Sequence, residues 1–165
     1  MAISRPGLSL KGRALKYLAA REHSRVELRR KLSPHAESPE AVDQVLDLLE
    51  AKGLLSAQRF ADSVLHRKAS RYGVARLKAE LAQHQLPDDI TRQATDTLRS
   101  TEFERAQALW RRRFGQAADT PEGRAKQMRF MAGRGFAGDV VRRVIRLADD
   151  GDDTFGAEAE TDADD

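Results

Sequence analysis

Helix-forming text recurs three times in this chain at a spacing of about fifty residues, and that period constrains the fold more than any other feature. The segment Glu27–Leu49 (ELRRKLSPHAESPEAVDQVLDLL) lies on Arg76–Leu98 (RLKAELAQHQLPDDITRQATDTL), and again on Lys126–Ala148 (KQMRFMAGRGFAGDVVRRVIRLA), without a gap. Leu32, Leu81 and Met131 share one column, Ala41, Ile90 and Val140 a second, and Val45, Ala94 and Val144 a third. Upstream, Ser24, Gly73 and Gly123 coincide where the second helix of each unit is expected to begin. A period of this size marks a repeat architecture, in which each unit hides its apolar face against the next. Stacked helical units give an elongated body with a long binding surface, and seldom an enclosed catalytic pocket.

One unit of about 45 residues is too small to be stable alone without disulfides or a metal. The chain has no cysteine, which excludes disulfides, thiolate metal sites and cysteine nucleophiles. Packing between units must therefore hold the array together. No apolar run reaches the ~18 residues of a membrane span, and the N-terminal MAISRPGLSLKGRAL lacks the apolar stretch of a signal peptide. A cytoplasmic protein is expected.

The net charge of +3 hides an asymmetry. Residues 149–165 (DDGDDTFGAEAETDADD) hold nine acidic side chains and no Lys or Arg, so the body before them carries 29 basic against 17 acidic residues. A basic body suits a polyanion or an acidic protein. The tail reads as a solvated, disordered end, with competition for the basic surface as the alternative role.

Along the chain, residues 1–9 read as a disordered lead, followed by three-helix repeats over 10–55, 56–100 and 101–148 and by the acidic tail over 149–165. In the first repeat, Ala14, Leu15, Leu18 and Ala19 are spaced as an apolar stripe. Ser24 with Glu27 spells a capping box, Pro39 suits a first helical turn, and Gly53 a C-terminal stop. Later helices are expected over about 57–71, 74–85 and 87–100, then from Thr101 (a cap with Glu104 three residues on), from Pro121 after a Thr120 cap, and over 138–148. Strand alternation is absent, so the fold class is all-α.

Catalytic patterns are missing. His23, His35, His66 and His84 have no zinc spacing, and His35 and His84 share a repeat column that suits turn packing. Acidic residues such as Asp88, Asp89, Glu102 and Glu104 sit at helix starts, where they complement the helix dipole. Neither a nucleophile triad nor a phosphate loop is spelled out, so no enzyme activity and no cofactor are expected. Trp110, Phe130 and Phe136 are candidates for stacking on bases, although Trp110 lies on an apolar stripe and reads first as core.

Arginine dominates what remains. Each repeat places basic residues near the end of its first helix and along its second, and stacking would align them into a stripe able to follow a phosphate backbone. The candidate contacts, chosen on charge pattern alone, are Arg21, Arg25, Arg29, Arg30, Arg67, Lys68, Arg71, Arg111, Arg112, Arg113, Arg142 and Arg143. For any one of them a solvated face, with its stem over apolar neighbours, is the competing account. Sequence-specific reading would call for Asn or Gln on a recognition helix, whereas the second helices here are built from Arg, Lys and apolar residues.

Four segments carry a resemblance: ALKYLAAREHSRVELRRKL (14–32), KGLLSAQRFADSVLHRKASRYGVARLKAEL (52–81), the HQLPDDI that follows, and MRFMAGRGFAGDVVRRVI (128–145). In this order and spacing they resemble RecX, the bacterial regulatory protein of the RecA recombinase, over about residues 10–148. The resemblance implies three tandem three-helix repeats in a curved, elongated monomer that binds along the groove of the RecA–DNA filament. It further implies slowed filament growth or promoted disassembly, with lowered ATP hydrolysis, strand exchange and SOS induction. Single-stranded DNA, and duplex DNA less firmly, are expected beside RecA. The alternative is a helix-turn-helix-like DNA-binding module with no RecA partner.

Overall fold

The computed structural model describes residues 7–153, and in that stretch the chain is all-α, with no strand. The helices are α1 (Leu10–Ala20), α2 (Arg25–Leu32), α3 (Pro39–Ala51), α4 (Ala57–Lys68), α5 (Val74–Ala82), α6 (Asp88–Ser100), α7 (Glu102–Arg113), α8 (Pro121–Gly133) and α9 (Gly138–Asp153), with a 3-10 turn at Ser33–His35. They fall in threes, as the repeat requires. The column Leu32, Leu81 and Met131 is fully buried in every repeat.

Local signals set most boundaries. The Ser24 hydroxyl accepts from the Glu27 amide at 3.1 Å, while the Glu27 carboxylate accepts from the Ser24 amide at 3.3 Å, so the capping box is made. Ser9, Ser38, Ser56 and Thr120 accept from the amides of Gly12, Ala41, Arg59 and Gly123. Gly53 ends α3 at φ +68°, a conformation that a Cβ disfavours.

Several expectations fail locally. On α1 the inward set is Leu10, Ala14, Tyr17 and Leu18, while Leu15 is 37% exposed and Ala19 lies outside the core. The buried stripe is thus rotated from the one read in sequence. Thr101 precedes α7 but makes no side-chain cap. Its hydroxyl donates back to the Thr97 and Leu98 carbonyls at 3.0 and 3.4 Å, because α6 ends only one residue earlier. α4 and α5 stop at Lys68 and Ala82, each three residues short of the expected end, and Gln85 turns the chain at φ +49°. α8 starts at Pro121 after the Thr120 cap, as expected from those residues, so Gly123, aligned by the repeat with the helix start, lies two residues inside, where a Cβ would come within 2.6 Å of the Ala118 Cβ. α9 runs past Ala148 to Asp153, and Asp149 pairs with Arg124 at 3.2 Å. The lead before Gly7 and the tail beyond Asp153 lie outside the described residues.

The described chain forms two compact units. Unit 1 takes the residues through Val64 together with Glu80–Ala94, and unit 2 takes Leu65–Ala79 and the residues from Thr95 onward. In unit 1, Ala14, Leu28, Leu32, Val42, Leu46, Leu49 and Leu55 make a core between α1, α2 and α3. Burying each leucine contributes about 1.5–3 kcal/mol. In unit 2, Ala106, Leu109, Trp110, Met131, Phe136, Val141, Val144 and Ile145 join α7, α8 and α9. A second cluster there, Val74, Leu77 and Leu98, packs with Leu65, Ala69 and Tyr72.

Unit 2 also contains a close backbone approach. The Gly73 amide donates to the Arg134 carbonyl at 2.8 Å, and the Ala75 amide to the Gly135 carbonyl at 3.2 Å. A Cβ on Gly73 would overlap the Gly135 carbonyl group. Gly135 itself has φ +88°, and a Cβ there would meet the Arg76 amide at 2.7 Å. Both positions therefore require glycine. The contact sets the start of α5 against the α8–α9 turn and brings Tyr72, Arg76 and Arg134 together.

Candidate polyanion-binding surface

In unit 1 three of the four candidate arginines, Arg21, Arg25 and Arg29, are engaged by the protein's own groups. Arg25 reaches Asp47 at 2.8 Å, Glu50 at 2.9 Å and Asp43 at 3.7 Å. Arg29 grips Asp43 through Nε at 3.1 Å and a terminal nitrogen at 2.7 Å. Arg21 pairs with Glu27 at 3.1 Å and donates to the Glu22 carbonyl at 2.8 Å. Arg25 and Arg29 thus face an acidic row on α3 and clamp α2 to it. An isolated exposed pair contributes little; the shared carboxylates here form a network that fixes these guanidiniums. Arg30 is exposed on α2.

Two histidines of unit 1, His23 and His84, are packed against its turns, while His35, in the 3-10 turn, is exposed rather than packed as its repeat column suggests. His23 is buried, with Nδ1 3.0 Å from the Arg21 carbonyl and Nε2 3.0 Å from the Lys31 ammonium. An ammonium can only donate, so Nε2 accepts and the ring is neutral with its proton on Nδ1. Burial holds the His23 pKa below its ordinary value, helped by the charges of Arg21 and Lys31. His84 lies 2.8 Å from the Ser24 hydroxyl and 4.5 Å from the Phe60 ring centre. Burial lowers its pKa as well. For Glu27 burial acts upward, but the Arg21 hydrogen bond and charge and the Ser24 amide outweigh it and hold the carboxyl below its usual value.

In unit 2 arginines are held by rings. Arg76 lies 4.2 Å from the Tyr72 ring centre, Arg134 lies 5.5 Å from Tyr72 and 5.1 Å from Phe130, and Arg113 lies 5.4 Å from Phe130 and 5.5 Å from Phe114. Arg71 adds a contact to Tyr72 at 5.8 Å. Phe114 and Phe130 meet edge to face at 5.3 Å. Cation and ring alternate from α5 through the α8 C-terminus to the end of α7. Such contacts are worth ~0.5–1 kcal/mol at exposed sites. They hold the guanidinium beside a ring without using its N–H donors, which a planar fork can offer to an anion.

The remaining candidates sit around this strip or elsewhere in unit 2. Arg111, Arg112 and Arg113 occupy the last turn of α7, and Arg112 donates to the Ser70 carbonyl at 3.2 Å. Arg67 and Lys68 end α4. Arg142 and Arg143 are exposed on α9, with Arg143 4.1 Å from the Phe103 ring centre. Trp110 and Phe136 are buried at 2% and 4% exposure, which removes them as base-stacking platforms. Their rings fill the unit 2 core.

Three kinds of residue lie outside the candidate contacts chosen from sequence, although Arg76 and Arg134 belong to the basic stripe read there. Arg76, Arg134 and Tyr72 enter the strip only because the Gly73–Gly135 approach brings distant segments together. Glu102, read as a dipole partner at a helix start, is 6% exposed. Its Oε1 accepts from the Val74 and Ala137 amides, each at 3.2 Å. Arg105 donates to the carbonyls of Ala69, Tyr72 and Leu98 at 2.7–2.8 Å and to the Thr101 hydroxyl at 3.0 Å, and burial lowers its pKa. Among the described residues no helix is long and apolar enough to cross a membrane, and no cluster of His, Asp and Glu is arranged to hold a metal ion.

Known proteins share this fold. Residues 11–49 match the family model of the first three-helix domain of RecX, and residues 100–145 that of the third. The regulatory protein RecX of Leptothrix cholodnii is 58% identical over 149 residues, covering 90% of this chain and 95% of the relative. That of Ralstonia nicotianae is 54% identical over 157 residues, covering 93% and 99%. The crystal structure of RecX from Lactobacillus salivarius superposes with a TM-score of 0.71 at 18% identity, over 85% of this chain and 94% of that one. That likeness speaks to the fold, while the identities over almost the whole length of the relatives speak to descent: the chain belongs to the RecX family.

Proposed function

We propose that the chain binds the filament that RecA forms on single-stranded DNA and lowers its activity: DNA-dependent ATP hydrolysis, strand exchange and the induction of SOS. It acts as a monomer without a cofactor, and duplex DNA is a second ligand. Family membership supports the RecA partner. The observation that carries the interaction is the set of arginines on unit 2 that are oriented by rings rather than spent on carboxylates. Many modest charged contacts of this kind accelerate association and make affinity sensitive to salt. The proposed contacts are Arg76 and Arg134 together with Arg30, Arg67, Lys68, Arg71, Arg111, Arg112, Arg113, Arg142 and Arg143, with Arg21, Arg25 and Arg29 engaged inside unit 1.

The test is the ATPase rate of RecA on single-stranded DNA, titrated with this protein. Inhibition well below one molecule per RecA protomer is expected. A truncation after Asp153 probes the tail as a competitor, because Asp149 belongs to α9 and its pairing with Arg124 must be kept. No inhibition at concentrations where the protein binds DNA would refute the proposal and leave the DNA-binding module without a RecA partner.

A further inference from the structure

The two units present different chemistry. Of the exposed large apolar side chains among the described residues, Leu8, Leu15, Leu48 and Leu54 belong to unit 1, and Leu147 on α9 is the one in unit 2. Unit 1 also neutralises Arg21, Arg25, Arg29 and Arg59 with its own carboxylates. Apolar anchors within a polar rim are what a protein interface uses. Unit 2 offers the alternating strip of Arg76, Tyr72, Arg134, Phe130 and Arg113, in which neighbouring cations stand one ring apart.

We infer that this strip of unit 2 is the grip on the phosphodiester backbone of nucleic acid, and that unit 1 does not share in it. The inference rests on the proposed filament-binding role and assigns its DNA-facing part to named residues. Three observations carry it. First, the strip holds no exposed large apolar residue to anchor a protein partner. Second, the Tyr72 and Phe130 rings hold the guanidinium carbons 4.2–5.5 Å from their centres before binding, which lowers the ordering cost of each contact with an anion. Third, the strip is built by the close approach of two glycine backbones, so Arg76 and Arg134 are placed by main-chain hydrogen bonds rather than by flexible loops. A single strand and a duplex offer the same phosphate chemistry; the oligonucleotide used distinguishes them.

The experiment is fluorescence anisotropy of a labelled thymidine 20-mer, single-stranded or paired with its complement, titrated with the full chain in the absence of RecA across a salt series. The triple substitution R76Q/R113Q/R134Q keeps every Cβ and every backbone bond of the strip, and urea unfolding checks that it folds. Each lost phosphate contact removes ~0.7 from the slope of log affinity against log salt for a single strand. The triple variant should therefore flatten the slope by about 2, with roughly a hundredfold loss of affinity at 0.1 M salt. Lys16→Gln, at an exposed position of α1 in unit 1, should change affinity less than about twofold by the same counting. R76K/R113K/R134K should keep the slope but bind more weakly, because lysine lacks the planar, forked geometry. A folded glutamine variant that binds both oligonucleotides with the wild-type slope overturns the inference. If that variant also fails to inhibit RecA, the strip faces protein instead. If wild-type protein grips DNA through the strip yet leaves RecA untouched, the filament-regulator reading fails and the grip stands.

Discussion

Glu102 offers the sharpest test of how unit 2 is held together. One oxygen of this carboxylate accepts from the Val74 amide at the start of α5 and from the Ala137 amide just ahead of α9. Glu102→Ala removes the acceptor from both, and the Val74 bond is buried. An unsatisfied buried donor costs about 1–3 kcal/mol, so two, one of them part-buried, cost about 2–4 kcal/mol. Glu102→Gln keeps a carbonyl oxygen in place and loses only the charge assistance, about 1 kcal/mol. Trp110 is the single tryptophan and sits in the unit 2 core, so its fluorescence reports on this unit. With a urea slope of ~2 kcal/mol per M, the alanine variant should lower the Trp110 midpoint by about 1–2 M and the glutamine variant by about 0.5 M. Equal midpoints for the two variants, or an alanine shift under about 0.3 M, would refute the view that Glu102 works as a shared amide acceptor.

Gly135→Ala places a Cβ 2.7 Å from the Arg76 amide at φ +88° and should destabilise unit 2 by about 2–3 kcal/mol on the same fluorescence readout, with a parallel loss of DNA affinity. A wild-type midpoint would show that the two backbones part freely. Acidification should weaken unit 1. Burial holds His23 below its ordinary pKa of 6.5, so the unfolded chain binds more protons; stability is complete above about 6.5 and falls as pH drops toward the lower folded value. Urea midpoints followed by circular dichroism from pH 7.5 to 5.5 should therefore decline, by no more than about 1.4 kcal/mol per pH unit from this histidine. His23→Gln should flatten the decline, and an unchanged pH profile would remove His23 as its source.

Periodicity made the architecture legible because a column such as Leu32, Leu81 and Met131 answers to one physical demand, burial, that sequence records directly. The caps at Ser24 and Thr120 were legible for a similar reason, since donor and acceptor lie within one turn. What failed at close range was the α1 stripe, where Leu15 and Leu18 are interchangeable until the position of α2 and α3 decides which is covered. At long range, what failed was any statement about who pairs with whom. Glu102 looked like a helix-start carboxylate because its acceptor role depends on amides 28 and 35 residues away.

The arginines show what charge pattern alone leaves out: the partners each one already has inside the protein. Arg25 and Arg29 stand four residues apart on α2, and Asp43, Asp47 and Glu50 repeat at four and three on α3. Complementary stripes at helical spacing on consecutive helices are themselves a sequence signal that the charges meet each other. A guanidinium already bridging two helices must give up those bonds before it can hold a phosphate, and the carboxylates left behind would repel the incoming strand. Arg113 and Arg134 face no such exchange, because an aromatic face stabilises the cation without occupying its N–H edges. The informative quantity is therefore not how many arginines a face carries but what each must release on binding. On that measure Arg113 and Arg134 of unit 2 have a lower cost than Arg25 and Arg29 of unit 1.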